Sequence, residues 1–166
     1  VSFTGQQSYN GVAIVSLSPQ EDVDVDPLGP SAPERRSIAA TINGVRVVNV
    51  YVPHGEGVGT EKFRTKLRWL DHLNGIIREA GDQRLVVSGD FNVAPDDRDV
   101  YDPKMRWEKL ICSTPERDHF NALLETGFID AFRHCSDEAG HYTWWSHRAG
   151  AVERNRGLRI DHHLVH

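Results

Sequence analysis

The chain has 166 residues and a formal net charge of −5, and its length suits a single domain spanning residues 1–166. Its two cysteines form neither a disulfide framework nor a zinc site, so we expect a reducing, cytoplasmic location. No apolar run approaches the ~20 residues of a membrane span, and we expect no signal peptide. The acidic balance argues, although not strongly, against a nucleic-acid partner, because proteins that bind phosphates usually carry a basic surface.

The charge is unevenly distributed along the chain. Residues 21–26 (EDVDVD) are acidic, whereas residues 148–159 contain four arginines against one glutamate. A basic surface can therefore exist on an acidic protein, although composition alone favours two solvated loops.

The first part of the chain predicts strands arranged around a hairpin. Residues 11–15 (GVAIV) are typical of a buried strand, and a long acidic loop is expected from there to about Pro33. Two β-prone runs within residues 37–51 flank Asn43 and Gly44. This pair predicts a hairpin, because both residues accept positive φ in a type I′ turn.

Two amphipathic helices are predicted from their caps and spacing. Thr60 can cap the first helix, and Gly81 is expected to end it. Its apolar residues recur at intervals of three and four: Phe63, Leu67, Leu70, Leu73, Ile76 and Ile77. The second helix begins at a capping box formed by Ser113 and Glu116, and Gly127 closes it.

The remaining elements are strands. They are expected at residues 85–88, 128–132, 142–145 and 158–165. Because strands dominate and the helices are few and amphipathic, we expect an α/β sandwich with antiparallel or mixed sheets, not a doubly wound parallel fold.

The segment RLVVSGDFNVAPD (84–96) carries the first functional signal. A buried strand ends at Gly89, which lets the backbone turn or approach a neighbour closely. Asp90 and Asn92 follow, and their carboxylate and amide oxygens suit a hard cation such as magnesium.

Polar or aromatic residues lie at four predicted strand ends, which a β-sandwich would gather at one edge: Tyr51, the Asp90/Asn92 pair, the 143–145 run TWW and Asp161. Each has an ordinary structural explanation when taken alone. Tyr51 can pack at a sheet edge, Asp90 can cap its own turn, the tryptophans can be core, and Asp161 can pair with Arg159.

Taken together, the motifs resemble the exonuclease III family of abasic-site endonucleases, within the endonuclease/exonuclease/phosphatase superfamily. GDFN is shared across the superfamily, whereas DVYDP and RNRGLRIDH are typical of the exonuclease III branch. The matching segments are YNGVAI (9–14), NVYVP (49–53), KLRWLDHL (66–73), GDFNVAP (89–95), DVYDP (99–103), TWW (143–145) and RNRGLRIDH (154–162).

This resemblance implies a four-layered α/β sandwich of two packed mixed sheets flanked by helices. It also implies an Mg²⁺- or Mn²⁺-dependent enzyme that hydrolyses the DNA phosphodiester 5′ to an abasic site and has 3′→5′ exonuclease and 3′-phosphatase activity. The implied partner is double-stranded DNA with abasic sites or 3′ ends, bound by a monomer without membrane contact.

The resemblance also implies roles for four residues. Tyr51 would hydrogen-bond the scissile phosphate. Asp90 would orient the attacking water or protonate the leaving oxygen, and Asn92 would hold the phosphate. Asp90 and Asn92 would also lie near the metal, and Asp161 would orient a catalytic histidine.

An apolar pocket for the baseless sugar would fall on Trp144, Leu158 and Ile160, with Arg159 as a DNA contact. Strand parity leaves an alternative, because Leu158 and Ile160 lie on the face opposite Arg159 and Asp161 and can equally be core.

The sequence departs from the family pattern at both ends. The family's metal-binding asparagine and glutamate precede the YNGVAI region, and its Ser-Asp-His segment follows the RID strand; neither is found here. We therefore expect a fold incomplete at both termini and a 166-residue chain that is inactive or impaired by itself. Two alternative functions remain, a phosphoesterase acting on a lipid or inositol phosphate and a non-catalytic fragment that binds DNA weakly.

Overall fold

A computed structural model describes residues 1–29, 34–80 and 84–166. The strands are β1 (Ser2–Gly5), β2 (Gly11–Ile14), β3 (Glu21–Asp24), β4 (Ser37–Ile42), β5 (Val45–Tyr51), β6 (Leu85–Asp90), β7 (Ile129–Asp130), β8 (Trp144–Trp145), β9 (Gly157–Leu158) and β10 (Asp161–Val165). The helices are α1 (Glu61–Glu79), α2 (Pro103–Arg106), α3 (Thr114–Leu124) and α4 (Ala131–Cys135), with a 3₁₀ turn at Asp97–Asp99.

The main sheet has six strands in the order β3-β4-β5-β6-β10-β7. It is mixed, because β5 and β6 are parallel while the other neighbours are antiparallel. The predicted α/β fold with a mixed sheet is therefore confirmed. Two antiparallel pairs, β1-β2 and β8-β9, form separate small sheets. None of the described helices is long and apolar enough to cross a membrane.

The two faces of the main sheet bury different partners. On one face, Val12 and Ile14 of β2 pack against Ile38 and Ala40 of β4. On the other face, α1 and α3 pack against the sheet through an apolar cluster that includes Val87 and Leu164. Side chains alternate along each strand, so β5, β6 and β10 each present one set of residues to the helices and the other set to the opposite face of the sheet, the face on which β2 lies.

The local signals for the hairpin and the caps are confirmed. Asn43 and Gly44 have φ values of +51° and +75°, as a type I′ turn requires. The hydroxyl of Thr60 accepts a hydrogen bond from the Phe63 amide at 3.1 Å. Glu116 accepts hydrogen bonds from both the amide and the hydroxyl of Ser113, at 3.2 and 2.6 Å. Gly81, the predicted end of α1, lies outside the described residues.

Four predicted elements differ from the structure, and one of them is the strand expected at 142–145, of which only Trp144–Trp145 form β8. The expected acidic loop contains β3, an edge strand whose side chains are all exposed, so its composition is that of a loop although its backbone pairs with β4. The strand predicted at 128–132 is only Ile129–Asp130, because the Asp130 carboxylate caps α4. The strand predicted at 158–165 is broken at Arg159–Ile160 into β9 and β10.

Candidate active site

Three strands align Tyr51, Asp90 and Asp161 in one row across the main sheet. Tyr51 is the register partner of Asp90 between the parallel strands β5 and β6. Asp161 is the partner of Asp90 between the antiparallel strands β6 and β10. Register partners project from the same face of a sheet, so a phenol and two carboxylates meet where β5 and β6 end and β10 begins.

A second polar row lies two residues away on the same face. Asn49, Ser88 and His163 are register partners across the same three strands. The Ser88 Oγ and the His163 Nδ1 are 2.8 Å apart, and the Asn49 amide donates to the Ala13 carbonyl at 2.9 Å. A cavity of about 360 Å³ includes these residues and Asp161 in its lining. Strand alternation from Tyr51, Asp90 and Asp161 is the signal that could have identified this row in the sequence.

The close approach of β6 to β5 explains the glycine of GDFN. Gly89 has a φ of +136°, and a Cβ there would overlap the Val50 carbonyl oxygen and lie 2.7 Å from Asn49 Oδ1. Glycine therefore lets β5 and β6 approach closely at the site. The Asp90 Oδ1 accepts a hydrogen bond from the backbone amide of Asn92 at 2.8 Å, so Asp90 also caps its own turn.

Asn92 is held rigidly in a left-handed backbone conformation, with a φ of +50°. Its Nδ2 donates to the Val52 carbonyl at 2.9 Å and to Asp90 Oδ2 at 3.3 Å. Its carbonyl accepts from the Lys66 ammonium at 2.6 Å, and Lys66 forms a fully buried ion pair with Glu116. Among the hydrogen bonds of the described residues, Nδ2 makes both side-chain bonds of Asn92, which leaves Oδ1 for a cation.

The Asp90 carboxyl titrates near neutral pH. Burial raises its pKa to about 6, and the Asp161 charge acts in the same direction. The hydrogen bond from the Asn92 amide and the charges of Lys66 and Arg36 oppose this shift. A carboxyl with such a pKa can hold or release a proton under physiological conditions.

Arg36, the residue just before β4, contacts both the ring and the backbone of Tyr51. Its guanidinium lies 4.7 Å from the centre of the Tyr51 ring, close enough for a cation–π contact. The Arg36 Nη1 donates to the Tyr51 carbonyl at 3.3 Å, and the Tyr51 amide donates to the Arg36 carbonyl at 2.8 Å. The sequence reasoning missed Arg36, because nothing in the pattern places it beside the end of β5.

The expected DNA contact through Arg159 does not hold in the structure. Its side chain is 3% exposed and donates to Asp99 at 2.6 and 3.2 Å and to Asp130 at 2.7 Å. A guanidinium enclosed by two carboxylates is a structural ion pair that has no free face for a phosphate.

Leu158 and Ile160 are also interior residues. They are 1% and 3% exposed and belong to an apolar cluster with Ala94, Val100, Ile111 and Cys112. The structure therefore favours the core interpretation of both over the pocket interpretation. Trp144, the third residue of the expected pocket, is 43% exposed and pairs with Leu158 in β8-β9, so it alone remains available to a ligand.

His162 is buried beneath the site and is neutral. Its Nδ1 accepts a hydrogen bond from Arg159 at 3.0 Å, so its Nε2 carries the proton and donates to the Val93 carbonyl at 2.8 Å. Its ring also packs against Phe91 and Phe120. Burial, aided by the Arg159 charge, lowers the pKa of His162 to about 4.

We expect His162 to make the fold acid-sensitive. Its folded pKa lies below the unfolded value of 6.5, so its contribution to stability is present above pH ~6.5 and is lost as the pH falls toward ~4. Between about pH 7 and pH 4, the chain should lose roughly 2–3 kcal/mol more than His162→Gln, at 1.36 kcal/mol per pKa unit. Urea unfolding at both pH values measures the difference. Equal losses in the two proteins would contradict a neutral His162.

The oxygen donors of the site suit a hard cation that takes its remaining ligands from substrate phosphate oxygens and water. Among the residues that the structure describes, no group of three or more histidine, cysteine, aspartate or glutamate side chains could hold a metal ion. Magnesium commonly uses only one or two carboxylates together with phosphate oxygens and water. The facing carboxylates of Asp90 and Asp161 and the Oδ1 of Asn92 fit that donor set.

Comparison with known proteins gives one family. The profile of the Endonuclease/Exonuclease/phosphatase family matches residues 1–166. The exodeoxyribonuclease of Bacillus subtilis is 34% identical over 169 residues, covering 99% of this chain and 66% of the relative.

Solved structures agree with this family. The 3′-5′ exonuclease from Neisseria meningitidis is 46% identical with a TM-score of 0.94, and an AP endonuclease from Archaeoglobus fulgidus is 36% identical with a TM-score of 0.90. In both comparisons the match covers 99% of this chain and 65% of the other. The chain thus spans just under two thirds of the length of these relatives.

Proposed function

The chain belongs to the endonuclease/exonuclease/phosphatase family, and on that premise we propose that it carries part of the site of a magnesium- or manganese-dependent DNA-repair nuclease. Its relatives are exodeoxyribonuclease III-like phosphodiesterases. The proposed reaction is hydrolysis of DNA phosphodiesters, 5′ to abasic sites and from 3′ ends. The observation that carries the proposal is the row of Tyr51, Asp90 and Asp161 beside the rigidly held Asn92.

The chemistry of these groups suits phosphodiester hydrolysis. Negative charge develops on the non-bridging and leaving oxygens, and fixed donors stabilise it without reorganisation. The Tyr51 phenol and the Asn92 Nδ2 are the proposed contacts to the phosphate, and Nδ2 would exchange its 3.3 Å bond to Asp90 Oδ2 for a phosphate oxygen. Asp90, with a pKa of about 6, would orient the attacking water or protonate the leaving oxygen, and Asp161 would orient a histidine.

Asp90 and Asn92 are the proposed metal-binding residues. When bound, magnesium would neutralise phosphate charge and polarise the scissile bond. The paired carboxylates of Asp90 and Asp161 support cation binding, because a positive charge relieves their mutual repulsion.

Double-stranded DNA with abasic sites or 3′ ends is the proposed partner of a single-domain, cytoplasmic monomer. One similar structure, a 3′ phosphatase from Neisseria that is 45% identical, is bound to a product DNA hairpin. The proposed DNA contacts on this chain are the exposed Trp144 and the arginines of residues 148–156. An aromatic face can stack on an unpaired base or sugar.

The test is cleavage of a duplex that contains one synthetic abasic site. We expect nicking beside the lesion with Mg²⁺ and none with EDTA. Asp161→Asn should slow nicking by roughly 10²-fold or more, because it removes one of the two carboxylates that face the proposed cation. The matched control Asp118→Asn, an exposed carboxylate on α3, should leave nicking unchanged. Equal losses in both variants would contradict the assignment of the site.

The alternatives give different results in the same assays. Release of phosphate from small phosphoesters without DNA cleavage would favour the phosphoesterase.

We also propose that the 166-residue chain alone is impaired, since it shows no match to the family's metal-binding glutamate or final histidine. A chimera extended with the flanking segments of the Bacillus subtilis relative should then nick faster, and failure of both proteins would refute the nuclease.

A further inference from the structure

One side chain, that of Thr143, hydrogen-bonds the backbone at the strand break just before Asp161. The amides of Ile160 and Asp161 both donate to the Thr143 hydroxyl oxygen, each at 3.1 Å. The neighbouring backbone groups have main-chain partners: the Arg159 amide donates to the Asp99 carbonyl, and the Ile160 carbonyl accepts from the Phe91 amide, both at 2.9 Å. Thr143 thus supplies the acceptor for two successive amides at the point where the strand breaks.

A hydroxyl is suited to this position because its oxygen has two lone pairs and accepts two donors at once. Adjacent amides in a regular strand point to opposite sides, so neither neighbouring ladder could satisfy both. Thr143 is itself fixed, because its amide donates to the Leu158 carbonyl at 3.0 Å. Its branched side chain also restricts rotation about χ1.

We propose that Thr143 is a positioning residue for Asp161, acting through the Asp161 backbone. On the other side of the break, the buried Arg159 is fixed by Asp99 and Asp130, so Asp161 is held from two directions at the point where it enters the register with Asp90. This inference rests on the proposed function, because the value of a fixed Asp161 is the chemistry assigned to that carboxylate.

The first experiment measures amide exchange and needs no activity. Thr143→Val removes the hydroxyl and keeps the shape, whereas the matched control Thr143→Ser keeps the hydroxyl. We expect the Ile160 and Asp161 amides to exchange about 10-fold faster in Thr143→Val and within about twofold of wild type in Thr143→Ser, given the usual net strength of a hydrogen bond. Unchanged exchange in Thr143→Val would overturn the inference.

The second experiment is a double-mutant cycle on nicking by the 166-residue chain, or by the chimera if only that cleaves. Thr143→Val should lower kcat roughly 10- to 100-fold with little change in KM, as a small misplacement does. In the Asp161→Asn background, the same change should have almost no effect, since both act through one carboxylate.

The cycle separates positioning from general stability. A loss in the Asp161→Asn background equal to the loss in wild type would overturn the inference, since a merely structural role acts in both. Absence of nicking in every unsubstituted protein would refute the proposed function, and amide exchange would then decide the role of Thr143 alone.

Discussion

Replacing Asp90 with asparagine should slow DNA cleavage roughly 10²- to 10⁴-fold, the usual contribution of a positioned acid or base. Asparagine keeps the shape of the side chain, and its carbonyl can still accept from the Asn92 amide, so the turn should survive. What it loses is the titrating proton, the negative charge that faces Asp161 and the 3.3 Å hydrogen bond from Asn92 Nδ2. Single-turnover nicking with Mg²⁺ measures the loss.

The same substitution should stabilise the fold at neutral and higher pH. The folded pKa of Asp90 is about 6, above its ordinary value of 3.8. Its favourable contribution is therefore complete below pH ~4 and is lost as the pH rises through ~6, because the ionised carboxylate is poorly solvated. Asparagine never ionises, so we expect Asp90→Asn to gain roughly 1–3 kcal/mol over wild type at about pH 8 and little at about pH 4.

Asp90→Asn should therefore lower the cleavage rate and raise the free energy of unfolding at the same time. Urea unfolding in EDTA gives the stability without any bound cation. Asp118→Asn, on the exposed side of α3, should change neither quantity. If Asp90→Asn lost stability as well as activity, the cap on its own turn, and not its proton, would be the main role of Asp90.

The parts of the fold that were predictable are those fixed by neighbours in sequence. The Asn43-Gly44 turn, the Thr60 cap and the Ser113–Glu116 box each depend on residues within one turn. The strand leading to Asp90 was predictable for the same reason, since its apolar run ends at a glycine that the chain needs there.

What the sequence could not predict depends on partners far along the chain. Arg159 looked like a DNA contact because its neighbours are arginines, but Asp99 lies 60 residues earlier and encloses it. Lys66 interrupts an apolar helix face, yet it is fully buried because Glu116, on a different helix, neutralises it. Composition places charged residues at the surface, and only tertiary pairing reverses that expectation.

Lys66→Met should cost roughly 3–5 kcal/mol of unfolding free energy, the largest stability effect we expect from one substitution. Methionine matches the length of the lysine stem but leaves the Glu116 carboxylate buried without its cation, which is the expensive outcome for a buried pair. It also removes the donor to the Asn92 carbonyl, so the left-handed turn at the site loses a support. Urea unfolding with an unchanged m-value measures the loss.

Two further variants test the cause. Lys62 lies on the same helix and also pairs with a glutamate, Glu56, but it is 67% exposed, so Lys62→Met should cost less than about 1 kcal/mol. Adding Glu116→Gln to Lys66→Met removes the stranded charge while the amide can still accept from Ser113, so the double variant should recover much of the loss. A double variant no more stable than Lys66→Met would show that the contact to Asn92, not the stranded charge, sets the cost. In that case the main contribution of Lys66 would be its hydrogen bond to the Asn92 carbonyl, not its ion pair with Glu116.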